Sequence, residues 1–114
     1  MNLQRTISPR SVAILGASNR QGSVGNAVML NILRGKFNGK IYPVNPSNSE
    51  VLGIKCYNNV IDIDDEIDLA VIITPRKVVP QVIDECGVKG VKGAVIISAG
   101  FKESGEEGRL LEKE

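Results

Sequence analysis

Short apolar runs alternate with helical stripes along the first third of this chain. Ser11 to Leu15 is an unbroken run that ends at Gly16, a pattern typical of a parallel strand buried on both faces. A dense apolar stripe from Val24 to Gly35 then predicts a helix, and Lys40 to Val44 predicts a second strand. Pro43 cannot donate a ladder hydrogen bond, so it should lie near an edge, an end or a bulge.

The rest of the chain repeats this alternation after an ambiguous linker. Asn45 to Glu50 predicts a loop, and Leu52 to Val60 fits either a short extended piece or a helical turn. Pro80 is tolerated only in the first turn of a helix, which sets the start of the next helix. The later predicted elements are a strand over Leu69 to Ile73, a helix from about Lys77 to near Cys86, a buried strand over Ala94 to Ile97, and a helix after a capping box at Ser104.

This order predicts an α/β fold, a Rossmann-like doubly wound parallel sheet that forms one domain over residues 1–114. In such sheets the ligand lies beyond the carboxyl ends of the strands. Domains of this kind usually carry one or two more strands, so we expect a fragment or subunit of a longer protein. We therefore expect the ligand site at the four turns that follow the strands, which are Gly16 to Gly25, Asn45-Pro46, Thr74-Pro75, and Ser98-Ala99-Gly100.

The glycine turn between the first strand and the first helix predicts an anion site. Gly16 would allow the tight turn, Gly22 a close approach of backbone to phosphate, and Gly25 close packing of helix on strand. Free N–H groups near Ser23 and Val24 would face the anion at the helix N-terminus. The spacing departs from G-x-G-x-x-G, and the alternative is that the glycines only shape the turn.

The end of the second strand argues against NAD. NAD usually meets an Asp or Glu there, about twenty residues beyond the glycine turn. Asn45 to Asn48 contains no carboxylate, the first being Glu50, and no arginine for the 2′-phosphate of NADP. A ligand with a phosphate on the 3′ side would tolerate Ser47 and Asn48, with a Lys or Arg nearby.

Composition narrows the function further. Histidine is absent, which removes Ser-His-Asp and Cys-His catalysis within this chain and leaves Cys56 and Cys86 without an activating imidazole. A net charge of +1 and 4% aromatic residues argue against a nucleic-acid binder. The apolar runs are too short to span a bilayer and no signal-peptide run begins the chain, so we expect a cytoplasmic protein without membrane partners.

Five blocks in this order resemble a known family. They are Ser-Val-Ala-Ile-Leu-Gly-Ala-Ser, Gly-Ser-Val-Gly-Asn, Lys-Ile-Tyr-Pro-Val-Asn-Pro, Asp-Leu-Ala-Val-Ile and Gly-Ala-Val-Ile-Ile-Ser-Ala-Gly-Phe-Lys-Glu. Together they are similar to the N-terminal CoA-binding domain of the ADP-forming (NDP-forming) acyl-CoA synthetases, relatives of the succinyl-CoA synthetase α subunit. The resemblance covers about residues 7–114.

The resemblance implies coenzyme A as the ligand and a set of binding residues. The nucleotide end would be held by Gly16, Ala17, Ser18, Asn19 and, completing the turn, Gly22, Ser23 and Val24. Asn45 and Pro46 would border the adenosine. The pantetheine arm would pass Thr74, Pro75, Ser98, Ala99 and Gly100. The strand-end cations Arg20, Arg76, Lys77 and Lys102 could contact a CoA phosphate or remain solvated surface charges.

The resemblance also implies a reaction, acyl-CoA plus ADP and phosphate to acid, CoA and ATP, reversibly. The family performs it with a phosphorylated histidine and an ATP-grasp portion, which this histidine-free chain would need as partner domains or subunits. Two alternatives stay open, a stand-alone CoA-binding protein without catalysis and an NAD-binding redox domain. The acidic run from Asp62 to Asp68 is expected to solvate the approach to the next strand rather than hold a metal.

Overall fold

The computed structural model describes residues 9–97, and within this range the predicted alternation of strands and helices is confirmed. The elements, in chain order, are β1 (Ser11–Leu15), α1 (Val24–Arg34), β2 (Lys40–Val44), β3 (Glu50–Val51), β4 (Ile54–Lys55), β5 (Leu69–Ile72), α2 (Val79–Lys89) and β6 (Ala94–Ile96). The capping box at Ser104 and the helix predicted after it lie outside the described residues.

A parallel sheet with the order β2-β1-β5-β6 forms the centre of the described part of the chain. β1 is buried along its whole length because it pairs with β2 on one side and β5 on the other. In this sheet β2 lies on one side of β1 and β5 lies on the other. The strand order therefore switches direction at β1, beside its carboxyl end. A ligand crevice is expected at such a point.

The two helices cover opposite faces of the sheet. Met29 of α1 packs with Val12, Ile14 and other residues of one face. Val82 and Cys86 of α2 pack with the residues of the other face, among them Ala13, Leu15 and Ile72. This arrangement confirms the doubly wound architecture, since adjacent residues of β1 contribute to different cores. In the described part of the chain, the helices are too short to cross a membrane.

Pro43 lies on an edge strand, as its missing N–H requires. The backbone N–H of Tyr57 donates to the Pro43 carbonyl at 2.9 Å, so this side of Pro43 faces away from β1. The ladder between β1 and β2 therefore loses no hydrogen bond to the proline. The ambiguous segment from Leu52 to Val60 contains β4 and the first residue of a 3₁₀ turn over Val60–Asp62. The partner strand β3 begins earlier, at Glu50, which the sequence had assigned to the loop.

The strand predicted over Ala94 to Ile97 exists, but the prediction that it is buried was wrong. Val95 is 46% exposed and Ile96 is 42% exposed, because β6 is the outermost strand and pairs only with β5 within residues 9–97. The helix expected to end near Cys86 continues to Lys89, where Gly90 closes it in the left-handed conformation at φ +85°. Lys89 thus belongs to the last turn, and its Nζ donates to the carbonyl of Ile63.

The acidic run before β5 is more structural than the sequence indicated. Asp68 is buried and accepts a hydrogen bond from the backbone N–H of Arg10 at 2.9 Å. Asp65 accepts from the Tyr42 hydroxyl at 2.6 Å and lies 3.6 Å from Lys40 Nζ. Burial, followed by the Asp65 contact, raises the pKa of Tyr42 to about 12, and the hydrogen bond from Tyr42 lowers the pKa of Asp65. These contacts fasten the amino edge of the sheet, opposite the predicted site.

Candidate ligand-binding site

The glycine turn after β1 brings α1 unusually close to the sheet. Gly16 adopts φ +104°, and a Cβ at this position would overlap the carbonyl oxygen of Ile73. A Cβ at Gly25 would overlap the carbonyl oxygen of Gly16 in the same way. Both positions therefore require glycine for reasons of space, as the sequence predicted for the tight turn and the helix contact. The first turn of α1 is held directly above the carboxyl end of β1.

The N-terminus of α1 offers backbone donors at this edge. Ser23 caps the helix, since its Oγ accepts from the backbone N–H of Asn26 at 3.2 Å. No hydrogen bond within residues 9–97 uses the backbone N–H of Val24 or Gly25. These two donors and the positive end of the helix dipole suit an anion.

A cavity of about 680 Å³ opens beside this helix terminus. One wall is the glycine turn, and the opposite wall is α2 with the turn before it, including Val78 and Val82. The ends of β1 and β2 form the floor through Leu15 and Val44. A volume of this size accommodates an extended organic ligand, with unused backbone donors on the α1 side and a mixed surface on the α2 side, where Val78 and Val82 lie beside Gln81 and Glu85.

Thr74 contributes an unsatisfied polar atom to the cavity. Its Oγ1 is buried and has no hydrogen-bond partner among residues 9–97, while the residue itself follows the end of β5. Buried hydroxyls are nearly always paired in folded proteins, and an exception at a cavity wall calls for an explanation. A ligand amide or hydroxyl would supply the missing partner.

Asn45 joins the ends of β1 and β2. Its Nδ2 donates to the Ala17 carbonyl at 2.8 Å, and its Oδ1 accepts from the Ser47 N–H at 2.8 Å. The amide side chain is thus engaged at both ends, where a dinucleotide-binding domain would present a carboxylate to a ribose. Asn45 shapes the cavity floor instead of offering a negative acceptor.

Most of the residues predicted for the site lie together. The cavity is lined by Gly16, Ser18, Arg20, Ser23, Val24, Asn45, Pro46, Thr74 and Pro75 from that set. Three others do not line it. Ala17 is buried in the core on the α1 side, Asn19 holds the β3–β4 hairpin, and Gly22 adopts φ +89° with open space where a Cβ would be. Ser98, Ala99 and Gly100 lie outside the described residues.

The strand-end cations separate into two groups. Arg20 lines the cavity next to the first turn of α1. Arg76 and Lys77 belong to the exposed 3₁₀ turn before α2, and neither is among the residues that form the cavity wall in the described range. Lys102 lies outside the described residues. Arg20 is therefore the best placed of the three described cations for contact with an anion.

Sequence reasoning missed the residues that the linker and α2 add to the cavity. They are Asn58, Asn59, Val60, Val78, Gln81, Val82 and Glu85. The α2 members could have been found, because positions 78, 81, 82 and 85 have the spacing of one helix face directly after a strand-end turn. The linker members carried no comparable signal, since the linker's path across the sheet edge depends on tertiary packing.

The two cysteines are not reactive groups of this cavity. Both are free and buried, and burial raises the pKa of each thiol. Cys86 packs in the core on the α2 side, as the apolar stripe predicted. Nucleophilic chemistry needs the thiolate, which these environments disfavour.

The parallel sheet, the glycine turn and the open helix terminus together define a Rossmann-like ligand-binding module. The sequence matches the family of CoA-binding domains over residues 10–110, and the chain belongs to this family. The fold, the family and the CoA-binding character expected from the five sequence blocks are thereby confirmed.

Similar proteins point to one group of enzymes. An ADP-forming acetate–CoA ligase of Methanocaldococcus jannaschii is 62% identical over 97 residues, which cover 85% of this chain and 14% of the ligase. The α subunit of ADP-forming acetate–CoA ligase I of Pyrococcus furiosus is 48% identical over 118 residues, covering 100% of this chain and 26% of the subunit. The chain therefore spans only a small part of the curated relatives it matches.

Solved structures support the fold. The dinucleotide-forming acetyl-coenzyme A synthetase 1 of Ca. Korarchaeum cryptofilum, in complex with phosphate and ADP, matches with a TM-score of 0.83 and 43% identity over 97% of this chain and 24% of that one. A conserved hypothetical protein of Pyrococcus furiosus matches with a TM-score of 0.72 and 30% identity, covering 91% of this chain and 85% of that one. The same fold thus occurs in chains of very different length.

Proposed function

We propose that this chain binds CoA across the carboxyl edge of its sheet as the CoA-binding part of an ADP-forming acyl-CoA synthetase. The observation that carries the proposal is the set of unused hydrogen-bonding groups in the wall of the cavity of about 680 Å³. Backbone donors of Val24 and Gly25 suit a diphosphate, and the Thr74 hydroxyl, which has no hydrogen-bond partner within residues 9–97, suits an amide. CoA carries both groups in one extended molecule.

The proposed arrangement follows the cavity from α1 to α2. The diphosphate lies at the first turn of α1 beside Arg20, whose guanidinium complements its charge. The adenosine lies past Asn45 and Pro46 at the end of β2. The pantetheine arm runs along Thr74 and Pro75 against Val78 and Val82, and its thiol is directed toward the region where an acyl group would be exchanged.

The chain would supply binding and orientation, while other parts of the enzyme supply the chemistry. In the proposed overall reaction, acyl-CoA, ADP and phosphate are converted to acid, CoA and ATP, with every step reversible. Phosphoryl transfer through histidine needs a residue that this sequence lacks. The acyl transfer and the ATP formation are therefore assigned to partner domains or subunits.

Titration calorimetry of the 114-residue chain with CoA, dephospho-CoA and NAD tests the proposal. We expect saturable binding of CoA, weaker binding of dephospho-CoA, and no measurable binding of NAD because the carboxylate expected at the end of β2 is replaced by Asn45. If the chain bound NAD but did not bind CoA, this result would contradict the proposal and favour a redox domain. Absence of binding to all three ligands would contradict it as well.

A second candidate is a stand-alone CoA-binding protein without catalysis. The hypothetical protein of Pyrococcus furiosus favours it, because 85% of that chain is covered by this fold. The two candidates differ in their partners. Pull-down with the tagged chain from its source cells should recover a histidine-bearing, ATP-grasp-containing protein if the chain acts in a synthetase, and a phosphate-dependent exchange of acetyl-CoA should appear in the recovered complex.

A further inference from the structure

A second cavity of about 540 Å³ adjoins the first one at the end of β2. Pro46 and Asn58 line both cavities, so the second begins where the proposed adenosine position ends. Its other walls come from the loop after β2 and from the segment around β4, and they are polar. They include Ser47, Asn48, Ser49, Lys55, Tyr57 and Asp62.

Of the described residues that line this second cavity, Lys55 alone carries a positive charge. Its Nζ lies 4.9 Å from the centre of the Tyr57 ring, a contact that orients the ammonium without neutralising it. Two carboxylates face this region, Glu50 opposite Lys55 in the hairpin and Asp62 in the cavity wall. Neither forms an ion pair with Lys55 among the residues that the structure describes.

The hairpin that carries Lys55 is fastened to the glycine turn. Asn19 donates from Nδ2 to the Glu50 carbonyl at 2.8 Å and accepts from the Leu52 N–H at Oδ1, also at 2.8 Å. This bidentate contact links the segment before α1 to the loop between β3 and β4. The backbone of the hairpin is therefore held to the glycine turn by direct hydrogen bonds, and the exposed Lys55 side chain extends from it.

We propose that Lys55 binds the 3′-phosphate of CoA and makes the site selective for CoA over nucleotides that lack this phosphate. The inference rests on the proposed function, because it presumes the adenosine at Asn45 and Pro46. A ribose there would place its 3′ substituent at the junction of the two cavities. The hydroxyls of Ser47 and Ser49 and the amide of Asn48 would complete a neutral donor set, with Lys55 supplying the charge. Asn19 is then a positioning residue, which acts through the hairpin.

The test compares CoA and dephospho-CoA binding to three forms of the chain, the original, Lys55→Met and Lys55→Arg. The original chain should prefer CoA by about tenfold, the amount expected from one charge-assisted contact. Lys55→Met should reduce this preference to less than about twofold while dephospho-CoA affinity stays within about twofold of the original. Lys55→Arg should retain most of the preference, because it keeps the charge.

Lys40→Met is the matched control. Lys40 is an exposed lysine at the amino end of β2, on the opposite edge of the sheet, so its loss should leave the preference for CoA unchanged. Circular dichroism of each variant checks that the chain remains folded after these exposed substitutions.

The outcomes separate this inference from the proposed function. If the original chain binds CoA with a preference that survives Lys55→Met, the Lys55 assignment is wrong and CoA binding stands. If the original chain binds CoA and dephospho-CoA equally, no 3′-phosphate subsite exists. Absence of CoA binding to the original chain overturns both proposals. Equal loss of both ligands in Lys55→Met assigns Lys55 a general role and also overturns the selectivity.

Discussion

The two helix starts at the carboxyl edge are built in different ways. α1 has the Ser23 cap, and Gly16 and Gly25 allow its first turn to lie directly against the ends of β1 and β5. α2 has no side-chain cap, follows a 3₁₀ turn, and carries Pro80 in its first turn, where a donor is missing. The first terminus therefore offers backbone donors that suit an anion, whereas the second presents Val78 and Val82 together with Gln81 and Glu85.

This difference predicts how a ligand is oriented in the cavity. The charged part of a ligand is attracted to the α1 side, where donors are unused, and the neutral part gains contact with Val78 and Val82 on the α2 side. One fold thus produces two chemically distinct walls from two copies of the same strand–turn–helix unit. Substitutions on each side test whether the walls act as described.

The largest expected effect is a loss of stability when a methyl group is added to the first turn of α1. The same change in α2 serves as the control. Gly25→Ala should lower the free energy of unfolding by about 3 kcal/mol, because the new Cβ would overlap the Gly16 carbonyl. Gly87→Ala is the matched control in α2, where a Cβ meets nothing within 4 Å. It should raise stability by about 0.5 to 1 kcal/mol through helix propensity. Urea unfolding measures both, and equal responses would show that α1 is not held closely to the sheet.

A smaller effect is expected from a negative charge at the start of α1. Ser23→Asp keeps a capping oxygen, so stability should stay within about 0.5 kcal/mol of the original. The carboxylate would compete with the ligand for the helix terminus, and CoA affinity should fall by more than about tenfold. Ser23→Asn, which caps without a charge, is the comparison. Unchanged CoA affinity in Ser23→Asp would exclude a phosphate at this terminus.

The smallest effect is expected on the α2 side. Thr74→Val replaces a buried hydroxyl that has no partner in the described part of the chain, so the ligand-free chain should become more stable by about 1 kcal/mol. CoA affinity should fall by about fivefold, since the ligand loses a hydrogen bond. Thermal unfolding and calorimetry on one sample measure the two changes. A fall in both stability and affinity would mean that Thr74 has a structural partner instead of a ligand.

The sequence was sufficient for elements whose pattern is set by local chemistry. The buried run of β1, the start of α1 at Val24 with its end near Gly35, and the edge position of Pro43 all followed from residue type and spacing. The first-turn position of Pro80 did as well. These features depend on backbone conformations or missing donors that neighbours in sequence reveal.

Tertiary neighbours determined what the sequence did not reveal. β6 was expected to be buried because its residues are apolar, yet exposure depends on which strand pairs beyond it. The sequence suggested that Asp68 is a solvated charge. Its hydrogen-bond donor, the backbone N–H of Arg10, lies 58 residues away along the chain. Asn58 lines the first cavity and Lys55 the second because of the path of the short hairpin, whose two-residue strands are too brief to produce a periodic signal.

The central position of β1 has a consequence for synthesis on the ribosome. Of the central-sheet strands within residues 9–97, β1 is made first and can pair with β2 soon afterwards, but its other edge stays open until Leu69–Ile72 has emerged. At about 5 to 20 residues per second, the interval between the two pairings is on the order of seconds. During that interval a five-residue apolar strand is half covered. The nascent chain is therefore most prone to association with other chains while the segment between β2 and β5 is being translated.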